Sequence, residues 1–263
     1  MKLQICKRKV IVVLFWLSLS LLGLVLAPIS HAADVNTASN EGITPLMRAA
    51  MNGNHEVAEL LISQGAEVNT ADNKGKTALM FASTNGYRTV VEALITRGAD
   101  IRAVSNEGYT PIMYASANGY LDIVKILLKD SNINHRTNDG RTALLLASLR
   151  GYKELVDLLI DNNADPNIRT AADTALMLAG ENGYAEIVAK LIKKGARVNE
   201  LNNKGITALM RAAARGKQNS VRELIAGSAQ IDARDNSGKT ALLYAASGGF
   251  ADGEHVDPWH VAF

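Results

Sequence analysis

Residues 106–129 read NEGYTPIMYASANGYLDIVKILLK, and the order of parts in this stretch decides the fold. Asn106-Glu107-Gly108 is a turn, with glycine taking a backbone angle closed to other residues. Thr110 is placed to cap a helix, its hydroxyl accepting a bond from an otherwise orphan amide. Pro111 follows at the first helical position, where its missing N–H costs nothing. A short helix is predicted to run to Asn118 and to end at Gly119 in the left-handed conformation. Asp122 then favours the first turn of a second helix. Ile123, Ile126 and Leu127 fall at i, i+3 and i+4 on it, one apolar face.

The same plan recurs along the chain. Thr-(Pro/Ala)-(Leu/Ile)-(Met/Leu) begins at Thr44, Thr77, Thr110, Thr142, Thr174, Thr207 and Thr240, in steps of 33, 33, 32, 32, 33 and 33 residues. A glycine stands nine residues after every one: Gly53, Gly86, Gly119, Gly151, Gly183, Gly216 and Gly249. Each unit is thus a turn, a short helix, a glycine break and a longer helix. Two short helices cannot cover their own apolar face, so each unit must be sealed by the next, and the array holds only as a stack.

The pattern resembles the ankyrin repeat over about 215 of the 231 residues that follow position 32. The features that carry the resemblance are the N-x-G turn, the T-[PA]-L start and the alanine pairs Ala49-Ala50, Ala212-Ala213 and Ala245-Ala246. With them go the break glycine, the second-helix phrase from Glu186 to Ile192, and the exits from Gly65 to Asn69 and from Gly195 to Asn199. The resemblance implies an all-α solenoid of six full repeats plus a truncated seventh, with β-hairpin fingers. It also implies a concave face, made by the fingers and first helices, that binds other proteins.

Some positions depart from the family pattern. The family has histidine after T-P-L, where this chain has Met47, Met80, Met113, Leu145, Met177, Met210 and Leu243. A methionine row could bind a soft metal, but thioethers also fill gaps between stacked units, and the row is taken as core. Tyr87, Tyr120, Tyr152 and Tyr184 follow break glycines at a framework position of the family and are expected to support the core. The finger of the fifth unit lacks its turn glycine, with Ala172 in that place, and is one residue short. The third unit is one residue short at its exit, Asp130-Ser131-Asn132.

The first 32 residues differ from the rest. Lys2, Lys7, Arg8 and Lys9 precede an apolar-to-small run from Val10 to Leu26, Pro28 stops it, and Ser30-His31-Ala32 offers small side chains before a cut at Ala32/Ala33. Residues 1–32 are therefore read as a secretory signal, 33–249 as the repeat domain and 250–263 as an irregular tail or cap. The alternative for residues 10–26 is an uncleaved membrane anchor. Beyond residue 32 the chain keeps 24 of its 28 basic residues against all 26 acidic ones, a net charge of −2, which argues against a nucleic-acid partner. The single cysteine, Cys6, lies in the leading segment, so thiol chemistry and disulfides are excluded from the remainder. A periplasmic or secreted location is expected. A bacterial source is implied by the similarity of the TALM-type units to bacterial ankyrin proteins.

No phosphate loop, nucleophile elbow or paired-carboxylate setting is found, and no cofactor is expected. Glu254, His255, Asp257 and His260 could hold a metal, though Pro258 interrupts their spacing and they match no helical ligand pattern. A metal- or redox-linked factor using the methionine row and this tail is the competing reading; a membrane-anchored receptor is another. The leading reading is a monomeric, non-catalytic scaffold for an unidentified protein, without a small-molecule substrate. The positions free of framework duty are the residue before each threonine, among them Lys76, Tyr109 and Arg141. The pair before each break glycine, including Asn85, Asn118, Leu149 and Arg150, is equally free. These seven residues combine apolar anchors with cations, as interface centres do, and predict an acidic or mixed partner surface against units two to four.

Overall fold

The computed structural model describes residues 34–249 of the 263-residue chain. The expected signal, its cleavage site at Ala32/Ala33, the run 10–26 and the tail 250–263 lie outside the described residues. Among those described are thirteen helices, arranged as six pairs and a single last helix. The pairs are α1 (Pro45–Met51) with α2 (His55–Ser63), α3 (Ala78–Asn85) with α4 (Arg88–Thr96), and α5 (Pro111–Asn118) with α6 (Leu121–Leu127). They continue as α7 (Ala143–Arg150) with α8 (Lys153–Asp161), α9 (Ala175–Asn182) with α10 (Ala185–Lys193), α11 (Ala208–Ala214) with α12 (Gln218–Ala226), and then α13 (Ala241–Ser247) alone. First helices pack on the first helices of neighbouring units and second helices on second helices. The described residues form an all-helical solenoid.

The helix starts follow from the sequence. Thr44, Thr77, Thr142, Thr174 and Thr207 hold extended backbone angles, and each hydroxyl accepts the amide three residues on. Thr110 departs from this expectation. The Met113 amide bonds the Thr110 carbonyl at 3.0 Å instead, and the Thr110 hydroxyl is buried without a partner. The break glycines adopt the left-handed conformation foreseen for them, Gly119 at φ +80°.

Each break also explains the tyrosine that follows one unit later. The rings of Tyr87, Tyr120, Tyr152 and Tyr184 lie against Gly53, Gly86, Gly119 and Gly151, so closely that a methyl on any of these glycines would enter the ring. The tyrosines therefore support the packing. The methionine row is core as well: Met47, Met80, Met113, Met177 and Met210 are all buried, and all but Met80 belong to the core cluster of leucines and alanines. Leu243 in the same register is 51% exposed, because no described helix follows α13 to cover it.

The fingers are less regular than expected. No strand forms among the described residues; two isolated antiparallel bridges, Ala71 with Thr77 and Arg169 with Thr174, are all the pairing there is. Beyond the turn bond at the tip, such as Gly75 N to Asp72 O at 2.9 Å, the arms share one backbone rung, such as Asp72 N to Lys76 O at 2.9 Å or Ser105 N to Tyr109 O at 2.9 Å. A second rung is missing because a side chain takes the donors. Asp72 Oδ1 accepts both the Lys74 and Lys76 amides, at 2.9 and 2.7 Å. In the shortened fifth finger Thr170 does the same for Ala172 and Asp173.

Two rows of asparagines tie the units together. At the tips, the side-chain amides of Asn73, Asn106, Asn138 and Asn236 each donate to a carbonyl of the preceding tip at 2.8–3.2 Å. At the exits, Asn69 donates to Gly98 O at 2.9 Å and accepts from Asp100 N at 2.7 Å. Asn36, Asn134, Asn167 and Asn199 repeat this two-bond rung.

Candidate functional site

The loop residues before each capping threonine and the exposed flank of the first helices form one surface along the array. Its centre is a cluster built from two adjacent units. Tyr109 stacks on Tyr114 of α5 with ring centroids 5.2 Å apart and planes 29° from parallel. Lys76 Nζ stands 5.0 Å from the Tyr114 centroid and 5.9 Å from that of Phe81 on α3. A cation over aromatic faces holds its charge in place while keeping it available to an incoming anion. Ser105 steadies the base, its hydroxyl accepting the Tyr109 amide at 3.1 Å and lying 3.4 Å from the Tyr114 hydroxyl.

Phe81 and Tyr114 belong to a row missed in the sequence, the residue four places after each threonine. It runs Arg48, Phe81, Tyr114, Leu146, Leu178, Arg211 and Tyr244, apolar across units two to five with arginine at either side. The fixed offset from the threonine was the signal that could have found it.

The seven predicted residues fare differently. Lys76 and Tyr109 are brought together through Tyr114. Arg141 is exposed and its Nε pairs with Asp139 on the same loop at 2.9 Å. Leu149 is 38% exposed at the end of α7, beside Arg150, which makes no ion pair among the described residues; Met51 matches Leu149 in register at 37%. Asn85 and Asn118 are committed to the framework: Asn85 Nδ2 donates to Met51 O at 3.2 Å and Asn118 Nδ2 to Tyr114 O at 3.0 Å. Among the described residues no hydrogen bond, ion pair or ring contact joins Arg141, Leu149 or Arg150 to the aromatic cluster.

Charge along this surface is uneven. Arg48, Lys76 and Arg150 in the first four units have no acidic partner among the described residues. In units five and six the acids are neutralised from within, Arg211 reaching Asp173 at 2.6 Å and Glu181 at 2.9 Å, with Arg215 on Glu181 at 3.1 Å. The second helices carry an exposed ladder of their own. Lys153 meets Glu186 at 3.3 Å, Lys190 lies 3.3 Å from Asp157 and from Asp161, and Lys194 lies 3.0 Å from Asp161. Hydrogen bonds from Lys194 and Lys190 hold the Asp161 carboxyl below the ordinary carboxylate range.

In the last unit, the Tyr244 hydroxyl donates to Asp235 Oδ2 at 2.7 Å. With the amides of Lys239 and Ser237 and the Ser237 hydroxyl, it lowers the Asp235 pKa to about 2; the same bond raises that of Tyr244.

Among the described residues no group of three or more His, Cys, Asp or Glu side chains is placed to hold a metal ion. The tail constellation Glu254, His255, Asp257 and His260 lies outside them. His135 is bonded through Nε2 to Gly108 O at 3.1 Å, and His55 opens α2 on the exposed side. No described helix is long and apolar enough to cross a membrane.

A family model described as "Ankyrin repeats (3 copies)" matches residues 18–105, 97–170 and 172–254. Among solved structures, the ankyrin repeat domain of human ASB11 is 25% identical, with a TM-score of 0.71 over 80% of this chain and 99% of that one. The ankyrin repeat domain of Bcl-3, a member of the IkappaB protein family, is 28% identical, with a TM-score of 0.67 over 78% and 95%. No curated protein matches the chain.

Proposed function

The chain belongs to the ankyrin repeat family, and from that premise we propose that it is an exported, non-catalytic scaffold that binds a partner protein through its concave face. Ankyrin repeat domains are in general protein-interaction scaffolds, and their fold is typically non-catalytic. On this proposal residues 1–32 direct export and are removed at Ala32/Ala33, leaving six full repeats and a truncated seventh, with hairpin-like fingers, in a bacterial periplasm or beyond it.

The observation that carries the reading is the cluster of Lys76, Phe81, Tyr109 and Tyr114, with Arg48 and Arg150 uncompensated on the same surface. Aromatic rings fixed by stacking lose little freedom on binding, and unpaired cations beside them favour an acidic partner. The acids of units five and six, by contrast, are already occupied, so units one to four are the side that is left to bind.

The test is affinity capture from an envelope fraction with the chain starting at Ala33. The captured partner is then titrated against Lys76→Glu and Tyr109→Ala. Losses of binding by both variants, with the helical signal unchanged, support the site. A partner whose affinity neither variant alters places recognition elsewhere. Intact-mass measurement of the exported protein checks the cleavage, and a chain retaining residues 10–26 favours the anchored form.

A further inference from the structure

One exit rung is absent, and a cavity lies where it should be. Asn69 and Asn134 each make a two-bond rung, but the corresponding position between them is Arg102. Its Nε donates to Asp130 O at 2.7 Å instead, across an exit loop that is one residue short. The helix feeding that loop, α6, has seven residues where α4, α8 and α10 have nine. The shortening leaves a cavity of about 430 Å³ between the arms that enter the third and fourth units, lined by Ile101, Arg102, Thr110, Ser131, Asn132 and His135. Pockets for small ligands span about 300–1,000 Å³.

A second observation converges on the same place. Thr110 is 5% exposed, and its hydroxyl has no partner, although the five other capping hydroxyls named above are all bonded. The other buried hydroxyls without partners, Ser83, Ser116, Ser148 and Ser220, do not line the cavity. An orphan hydroxyl in the interior is costly, and that cost is recovered when an oxygen of a ligand reaches it. No carboxylate lines the cavity: Asp100 Oδ1 is turned to the Arg102 amide at 2.8 Å. The terminal guanidinium nitrogens of Arg102 have no acceptor among the described residues.

We propose that this cavity binds a small organic carboxylate. The free edge of the Arg102 guanidinium takes the carboxylate through paired N–H bonds. Thr110 and the Asn132 amide take a second polar group, and Ile101 packs against a short carbon chain. The site stands apart from the protein-binding reading and shares none of its residues.

The test is an amide-resolved NMR titration of the exported protein with L-malate, and in parallel with inorganic phosphate at matched ionic strength. The expected result is saturable shifts at Arg102, Thr110, Ser131 and Asn132 with malate, weakened about tenfold or more in Arg102→Asn, which restores a rung residue. Thr110→Val, close in shape, serves if Arg102→Asn fails to fold, and is expected to weaken binding as well. Shifts that do not saturate, shifts equally strong with phosphate, or shifts that survive in the variants overturn the proposal.

Discussion

Gly151 and Gly195 permit a paired experiment on what holds the units in register. Both are left-handed, at φ +75° and +87°, so alanine is strained at either. Their surroundings differ. A Cβ on Gly151 would fall 2.5 Å from Cζ and 2.6 Å from Cε1 of Tyr184, whereas one on Gly195 would meet nothing within 4 Å. Left-handed backbone costs a residue with a Cβ about 1–2 kcal/mol, and replacing glycine returns about 0.4–1 kcal/mol by restricting the unfolded chain. Gly195→Ala is therefore expected to destabilise by about 0–1.5 kcal/mol. Gly151→Ala adds an overpacking cost of about 1–3 kcal/mol, since Tyr184 precedes α10 and cannot shift without moving the start of that helix. Urea titration followed by helical circular dichroism measures both, and repeating Gly151→Ala in a Tyr184→Ala background removes the ring. Equal losses for the two glycines, or an unchanged loss for Gly151→Ala without the ring, would refute the reasoning.

Ala115 on α5 is fully buried between stacked helices, and Ala115→Asp leaves an unpaired charge there; a loss of about 3–5 kcal/mol is expected by the same titration. Tyr109→Ala removes a stacked ring from a half-buried site and is expected to cost about 0.5–1.5 kcal/mol of stability, with partner binding weakened by about 1–3 kcal/mol. Asp235 has a folded pKa of about 2, below its ordinary 3.8, so its contribution to stability is complete above the ordinary value and disappears as pH falls from there through about 2. In Tyr244→Phe its carboxyl should titrate closer to 3.8, visible in side-chain carbon shifts; a value still near 2 would assign the effect to the Lys239 and Ser237 amides instead.

Much of the architecture was legible because each part answers to local chemistry. The threonine starts, Pro111, the left-handed glycines and the apolar faces of the second helices are decided within a few residues of chain. The cluster around Lys76 was half legible: Lys76 and Tyr109 can be singled out, but Phe81 and Tyr114 sit four places after their threonines, inside short helices where nothing local marks them. Asn85 and Asn118 looked free because their framework bonds depend on where the amide turns at a helix end. The Arg211 pairs with Asp173 and Glu181 join residues in neighbouring units, a distance that pattern alone does not span. The hairpin fingers were overdrawn because side chains such as Asp72 intercept the amides that a second rung would use.

The two asparagine rows fail at different stations. The exit row is interrupted at Arg102. The tip row lacks its link between the fourth and fifth fingers, where Arg136 Nη2 reaches Arg169 O at 3.0 Å in its place, while between the fifth and sixth Asn202 keeps it by donating to Ala172 O at 3.3 Å. In a material held by nearest-neighbour cohesion, weak seams decide where it parts. Under tension or mild denaturant this array should come apart as segments of two or three units, and amide exchange should quicken first beside those seams.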